Sequence, residues 1–149
     1  MQQYNCPLTI SKCLEYQGYK KENSFCQMCQ TNAFMEISSK IYSSPNFLIF
    51  LIERENSAQN LFNIPFIIEH QINIDLFLEN KQTPSKFELR GILSISINEN
   101  NKYVCFGKSP VDKRWYLYND EIVGEFDENN VSGLYPTYIP SILVYKSCN

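Results

Sequence analysis

Residues Phe87 to Val123 read FELRGILSISINENNKYVCFGKSPVDKRWYLYNDEIV. The stretch holds three apolar-patterned segments separated by two turns. Phe87 to Ile97 alternates imperfectly, and Asn98-Glu99-Asn100-Asn101 makes a polar turn. Tyr103 to Phe106 and Arg114 to Tyr118 then read as a hairpin around the loop from Lys108 to Lys113. Antiparallel neighbours lie about 5 Å apart. Lys102 and Asn119, at comparable ends of adjacent strands, are therefore expected close in space although far apart in sequence.

The flanks extend the same β pattern. Met35, Ile37 and Ile41 share one parity, with Glu36, Ser38 and Lys40 on the other. Phe47 to Ile52 is apolar on both faces, the pattern of a central strand covered on both sides. Short strands are expected around Phe66–Glu69 and Ile72–Leu76, a continuation of the sheet over Val123–Phe126, and a closing strand over Ser141–Tyr145. Gly133 to Pro140 reads as a loop. One helix is expected near the start, over Thr9 to Tyr16. There Ile10, Cys13 and Leu14 share a face, Thr9 or Ser11 caps the start, and Gly18 ends it. Lys20 to Asn23 reads as polar loop.

At 149 residues and a net charge of −3, the chain is one domain's worth of sequence without the clustered basic face of a nucleic-acid binder. Its longest apolar run falls far short of the ~20 residues of a membrane-spanning helix. The N-terminus lacks the pattern of a secretory leader. Six cysteines in such a context read as reduced thiols of an intracellular protein rather than a disulfide framework. Cys26-Gln27-Met28-Cys29 supplies two ligands at the spacing of half a zinc site. Either the pair binds zinc, with Cys6 or a partner chain completing the set, or it is a metal-free knuckle. His70, the single histidine, reads as a surface or strand-edge residue, and Arg54 as a solvated strand end. Trp115 is a candidate core anchor and, with Tyr103, a candidate interaction residue.

Taken in order, these pieces resemble the C-terminal half of a ubiquitin-specific protease, a papain-like cysteine deubiquitinase. Phe87 to Leu93 resembles that family's Tyr-x-Leu-x-Ala-Val-Ile segment, and Asn100-Asn101-Lys102-Tyr103 its Gly-Gly-His-Tyr. Trp115 to Val123 resembles its Trp-x-x-Phe-Asp-Asp-x-x-Val. Pro45 to Arg54 resembles a core strand of the family, Tyr138 to Tyr145 its closing strand, and Cys13-Leu14 followed by Cys26 to Cys29 the end of its zinc-finger subdomain. The resemblance implies an α+β, mostly β fold: an antiparallel palm-like sheet with one short N-terminal helix and a shortened finger region. It implies one domain over 1–149, with 1–31 as partial finger and 32–149 as palm. The first Cys-x-x-Cys that the family places upstream is absent here.

The departures bear on activity. The family's nucleophile box, of the type Asn-x-Gly-Asn-x-Cys-Tyr-x-Asn, does not occur in these residues. Lys102 falls where the family has its catalytic histidine, and Asn119, followed by Asp120, where it has the orienting Asp or Asn. As residue types, lysine titrates near ~10.4 and imidazole near ~6.5, so an ordinary lysine is a poor base at neutral pH. The expectation is therefore a non-enzyme, with degenerate positions Lys102, Asn119 and Asp120 and no catalytic residue. It would serve as an interaction or structural subunit whose protein partner covers the sheet face left open by the missing lobe. Two alternatives stand beside it. One is part of an active deubiquitinase with its cysteine lobe on another chain, and the other is a non-catalytic ubiquitin-binding module.

Overall fold

The computed structural model describes residues 7–52, 65–98 and 102–148. Helix α1 (Ile10–Gly18) is followed by a hairpin of β1 (Tyr19–Cys26) and β2 (Thr31–Ser38), then β3 (Phe47–Leu51) and β4 (Gln71–Asn73). A 3-10 turn (Asp75–Phe77) leads to β5 (Lys86–Ser96), β6 (Lys102–Lys108), β7 (Trp115–Asn119) and β8 (Ile122–Phe126). A second 3-10 turn (Glu128–Asn130) precedes β9 (Tyr138–Ser147). β1 and β2 pair with each other in a two-stranded sheet. The other strands form one antiparallel sheet in the order β3-β9-β5-β6-β7-β8, with β4 beside the start of β5.

β5 organises the large sheet because it pairs with β9 along one edge and with β4 and then β6 along the other. Its alternation is broken at Arg90, where the register with β9 slips between Leu89 and Gly91. A bulge inserts one residue and reverses the facing of the side chains beyond it. Phe87 and Leu89 before the bulge, and Ile92, Ser94 and Ser96 after it, therefore all point into the core. A second slip lies between Leu93 and Ser94, opposite Pro140, where an irregular ladder tolerates a residue without an N–H.

One face of the sheet is covered. Phe87, Leu89, Ile92, Phe106, Trp115, Leu143 and Tyr145 pack beneath Ile10 of α1, the segment from Phe66 to Leu78, and Val131 and Leu134. Phe106 meets Phe126 and Tyr138 edge-on, at centroid distances of 4.8 and 5.1 Å. Polar ties fix the cover: the Tyr145 hydroxyl donates to the Glu69 carbonyl at 2.7 Å, and the Ser11 amide to the Glu69 carboxylate at 2.9 Å. The Thr9 hydroxyl accepts from the Lys12 amide and caps α1 as its sequence predicts.

Five local expectations are corrected: Tyr138–Pro140 opens β9 rather than ending a loop, Asp75 and Leu76 lie in the 3-10 turn rather than in a strand, and three further segments differ. Lys20–Asn23 lies inside β1, not in a loop. The segment around Phe66 makes a single bridge to Leu8 rather than a strand. Among the described residues Phe47–Leu51 is an edge strand rather than a central one, with Phe47, Ile49 and Leu51 exposed on the open face. That face continues through Leu93, Ile95, Tyr103, Tyr118 and Val123, none of them buried. Among the described residues, no helix is long and apolar enough to cross a membrane.

Candidate active site

Lys102 opens β6 opposite Ser96, and Asn119 closes β7. The register that places Cys105 across from Tyr118 makes Lys102 and Asn119 diagonal neighbours on one face of the sheet. Such neighbours have Cα atoms roughly 7–8 Å apart, within reach of long side chains. They share that face with Val104, Phe106, Trp115 and Leu117 and sit at its rim, both half-buried. The juxtaposition read from the sequence is present.

Asp120 is the first residue of the two-residue turn joining β7 to β8, and its φ of 51° is in the left-handed region. Asp tolerates this conformation better than most side chains. The turn carries the Asp120 carboxylate back across the sheet end, where it forms an ion pair with the Lys102 ammonium. Lys102 is thus held by a neighbour in the hairpin turn rather than left extended in solvent. Ser94 and Ser96 are buried on the same face one strand away, opposite Val104 and Lys102. Among the described residues the Ser94 hydroxyl has no hydrogen-bond partner. Neither serine was singled out from sequence, where small polar residues in a strand carry no distinguishing signal.

Of the two candidate interaction residues, Tyr103 is 60% exposed on the open face. Trp115 is 1% exposed. It is a core anchor, and its burial removes it as an interaction residue. Asn101, Arg54 and Cys6 lie outside the described residues.

His70 is far from this site. It stands beyond the opposite end of β6, its Nδ1 3.9 Å from Glu128. There Lys108, nearly buried, donates to Glu88 and Glu128 at 2.9 Å each, and Arg90 pairs with the other oxygen of Glu88 at 2.9 Å. Burial disfavours the Lys108 charge, but the hydrogen bonds to Glu128 and Glu88 outweigh it and raise its pKa. The network pins the 3-10 turn at Glu128 onto the sheet.

Cys26 and Cys29 flank the tip of the β1–β2 hairpin, closed by the Gln30 amide on the Cys26 carbonyl at 2.8 Å. Cys29 Sγ lies 3.1 Å from the Thr31 hydroxyl. That contact and a hydrogen bond with Cys26 lower the Cys29 pKa. Two thiols do not complete a tetrahedral zinc set, and no cluster of three or more ligating side chains occurs among the described residues.

Comparison with known proteins agrees with this architecture. A family model described as ubiquitin carboxyl-terminal hydrolase matches residues 5–145. No curated protein matches the chain. Solved structures do. The SAGA DUB module of Ubp8, Sgf11, Sus1 and Sgf73 bound to monoubiquitin superposes with a TM-score of 0.72 at 21% identity, over 98% of this chain and 34% of the matched one. The same module bound to ubiquitin aldehyde gives 0.71 at 20% identity, over 98% and 34%. The yeast SAGA DUB module with an Sgf73 mutant gives 0.68 at 20%, over 95% and 33%. At these identities the likeness is one of fold, and the chain spans about a third of the chains it matches.

The family match overturns the expectation of a non-enzyme. That expectation rested on Lys102 and on the missing nucleophile box, whereas the matched family is one of hydrolases and its model covers almost the whole chain.

Proposed function

We propose, since the chain belongs to the ubiquitin carboxyl-terminal hydrolase family, that it forms the fingers and palm of a cysteine-type deubiquitinating unit. Its attacking cysteine is carried by a lobe outside these 149 residues. The observation that carries this reading is the placement of Lys102 and Asn119 on one face at the ends of β6 and β7. The open apolar face supports it, since large exposed apolar patches mark interfaces. The cysteine lobe seats there and reaches round the strand ends, with Tyr103 in the contact. The solved modules, assemblies of several chains with ubiquitin bound in some, favour both a protein partner and a ubiquitin substrate for this chain.

The chemistry of Lys102 differs from that of an imidazole. A lysine beside a thiol lowers its pKa from about 8.5 by electrostatic stabilisation of the thiolate. Lys102, steered by Asp120, acts as that cation, and Asn119 positions the groups around it. The thiolate then bonds to the carbonyl carbon of the ubiquitin tail as the carbon–nitrogen bond to the leaving amine breaks. The amine takes its proton from water, and the hydroxide left behind attacks the thioester carbonyl, breaking the carbon–sulfur bond to release the ubiquitin carboxylate and restore the thiol.

Treating the complete protein, isolated with its native partners, with ubiquitin bearing a C-terminal electrophile tests the reading. A covalent adduct on a cysteine outside these 149 residues is expected. Absence of both an adduct and conjugate cleavage would contradict it.

A further inference from the structure

Three Ser or Thr residues stand directly before a proline: Ser44, Thr83 and Ser109. Ser-Pro and Thr-Pro pairs are the acceptor sites of proline-directed protein kinases, which take the hydroxyl residue in an extended segment. A residue before proline favours that backbone. The fold sorts the three pairs.

Ser44 is 9% exposed, and its hydroxyl donates to the Pro84 carbonyl. The Thr83 hydroxyl donates to the Asn80 carbonyl at 2.9 Å and accepts from the Ser44 amide at 3.3 Å. Both hydroxyls thus tie the loop before β5 to the segment before β3. Ser109 stands differently. It opens the loop between β6 and β7, where Pro110, Val111, Asp112, Lys113 and Arg114 are all exposed. The loop lies at the end of β6 remote from Lys102, about 20 Å along the strand. It is therefore away from the strand ends that the cysteine lobe reaches.

The closed form of this loop depends on Ser109. The Ser109 amide donates to the Arg114 carbonyl at 2.8 Å, and the Lys113 amide to the Ser109 carbonyl at 3.1 Å. The Ser109 hydroxyl accepts from the Val111 and Asp112 amides at 3.3 and 3.4 Å, and donates to the Asp112 carboxylate. That carboxylate also takes the Tyr116 hydroxyl at 2.6 Å and the Arg114 amide at 3.2 Å. Ser109 Oγ thus touches the one carboxylate around which the loop is folded.

We propose that Ser109 is the phosphoryl acceptor of a proline-directed protein kinase, and that its phosphorylation opens the β6–β7 loop. In the transfer, the Ser109 oxygen bonds to the γ-phosphorus of ATP as the bond from that phosphorus to ADP breaks. The hydroxyl proton passes to the base of the kinase. The product carries a charge of about −1.5 to −2 at neutral pH and has lost the proton it gave to Asp112. Phosphate and carboxylate then face each other as like charges and repel. Asp112 is driven out, and the Tyr116 hydroxyl and Arg114 amide lose their acceptor.

Incubating the complete protein and its native partners with a cyclin-dependent kinase and magnesium ATP, followed by peptide mass mapping, tests this. Native protein is expected to take phosphate at Ser109 at least about tenfold faster than at Ser44 or Thr83, whose hydroxyls are held in the fold. Pro110→Ala keeps the hydroxyl, sits in an exposed loop, and should slow labelling of Ser109 about tenfold or more. Hydrogen exchange of the Lys113 and Arg114 amides, both bonded in the closed loop, should speed up about tenfold or more on phosphorylation. No phosphate on native Ser109, faster labelling of Ser44 or Thr83, or labelling indifferent to Pro110→Ala would each overturn the acceptor. Exchange unchanged by phosphate would overturn the opening of the loop. None of these readouts requires cleavage of a ubiquitin conjugate.

Discussion

The ammonium of Lys102 and the carboxylate of Asp120 form an ion pair that joins the start of β6 to the turn between β7 and β8. The pair depends on a backbone detail: the left-handed conformation of Asp120 turns its side chain back over the strand ends. It puts a tethered cation beside Asn119, at the position where the sequence resembles the family's catalytic histidine.

The pair is exposed, so its effect on stability is small. Asp120→Asn is expected to change the unfolding free energy by about 0–1 kcal/mol, read from urea denaturation, and less as salt is added. A loss well beyond that range would make Lys102–Asp120 a structural strut rather than a positioning device.

In the β6–β7 loop, the Tyr116 hydroxyl donates to the Asp112 carboxylate at 2.6 Å, and the Arg114 amide donates to its other oxygen at 3.2 Å. The bond from Tyr116, followed by one from Ser109, holds Asp112 down from its ordinary 3.8 to about 2. A depressed acid stabilises the fold above its unfolded value and loses that contribution as pH falls through the folded one. The loop is therefore expected to loosen between about pH 3.8 and 2. A carbon-detected NMR titration of the Asp112 carboxyl reads the midpoint directly. Tyr116→Phe should move it upward.

Two core substitutions separate packing from polar ties. Leu143→Ala, at a fully buried site between β3 and β5, is expected to cost about 2–5 kcal/mol. Tyr145→Phe keeps the ring against Phe50 but removes the hydroxyl bond to the Glu69 carbonyl, for about 1 kcal/mol. Thermal or urea unfolding of both variants measures the difference. Equal costs would mean that the hydroxyl bond matters as much as the packing.

Much of the large sheet was legible because its strands alternate and its turns are marked by Asn, Asp, Pro and Lys. The β6–β7 hairpin follows from that signal, and with it the meeting of Lys102 and Asn119. The bulge at Arg90 was legible only as imperfect alternation, because one extra residue reverses parity without leaving a residue signature. β1 escaped notice for a different reason. Tyr19-Lys20-Lys21-Glu22-Asn23-Ser24 is polar on both faces, since the hairpin stands away from the core, and without a buried face there is no period to read. Phe47–Leu51 misled in the opposite direction. Its apolar run read as a central strand covered on both sides, and among the described residues it pairs with β9 alone. The Lys102–Asp120 pair could not be read at all, because it depends on the sign of one φ angle.

The role of Lys102 is tested most directly by cleavage of a ubiquitin–lysine isopeptide conjugate by the complete protein with its native partners, comparing wild type, Lys102→Arg and Lys102→Met. Wild type should cleave, Lys102→Arg should keep most of the rate by retaining a cation, and Lys102→Met should lose about 10²-fold of rate through the missing electrostatic stabilisation. Equal rates in wild type and Lys102→Met would contradict the account.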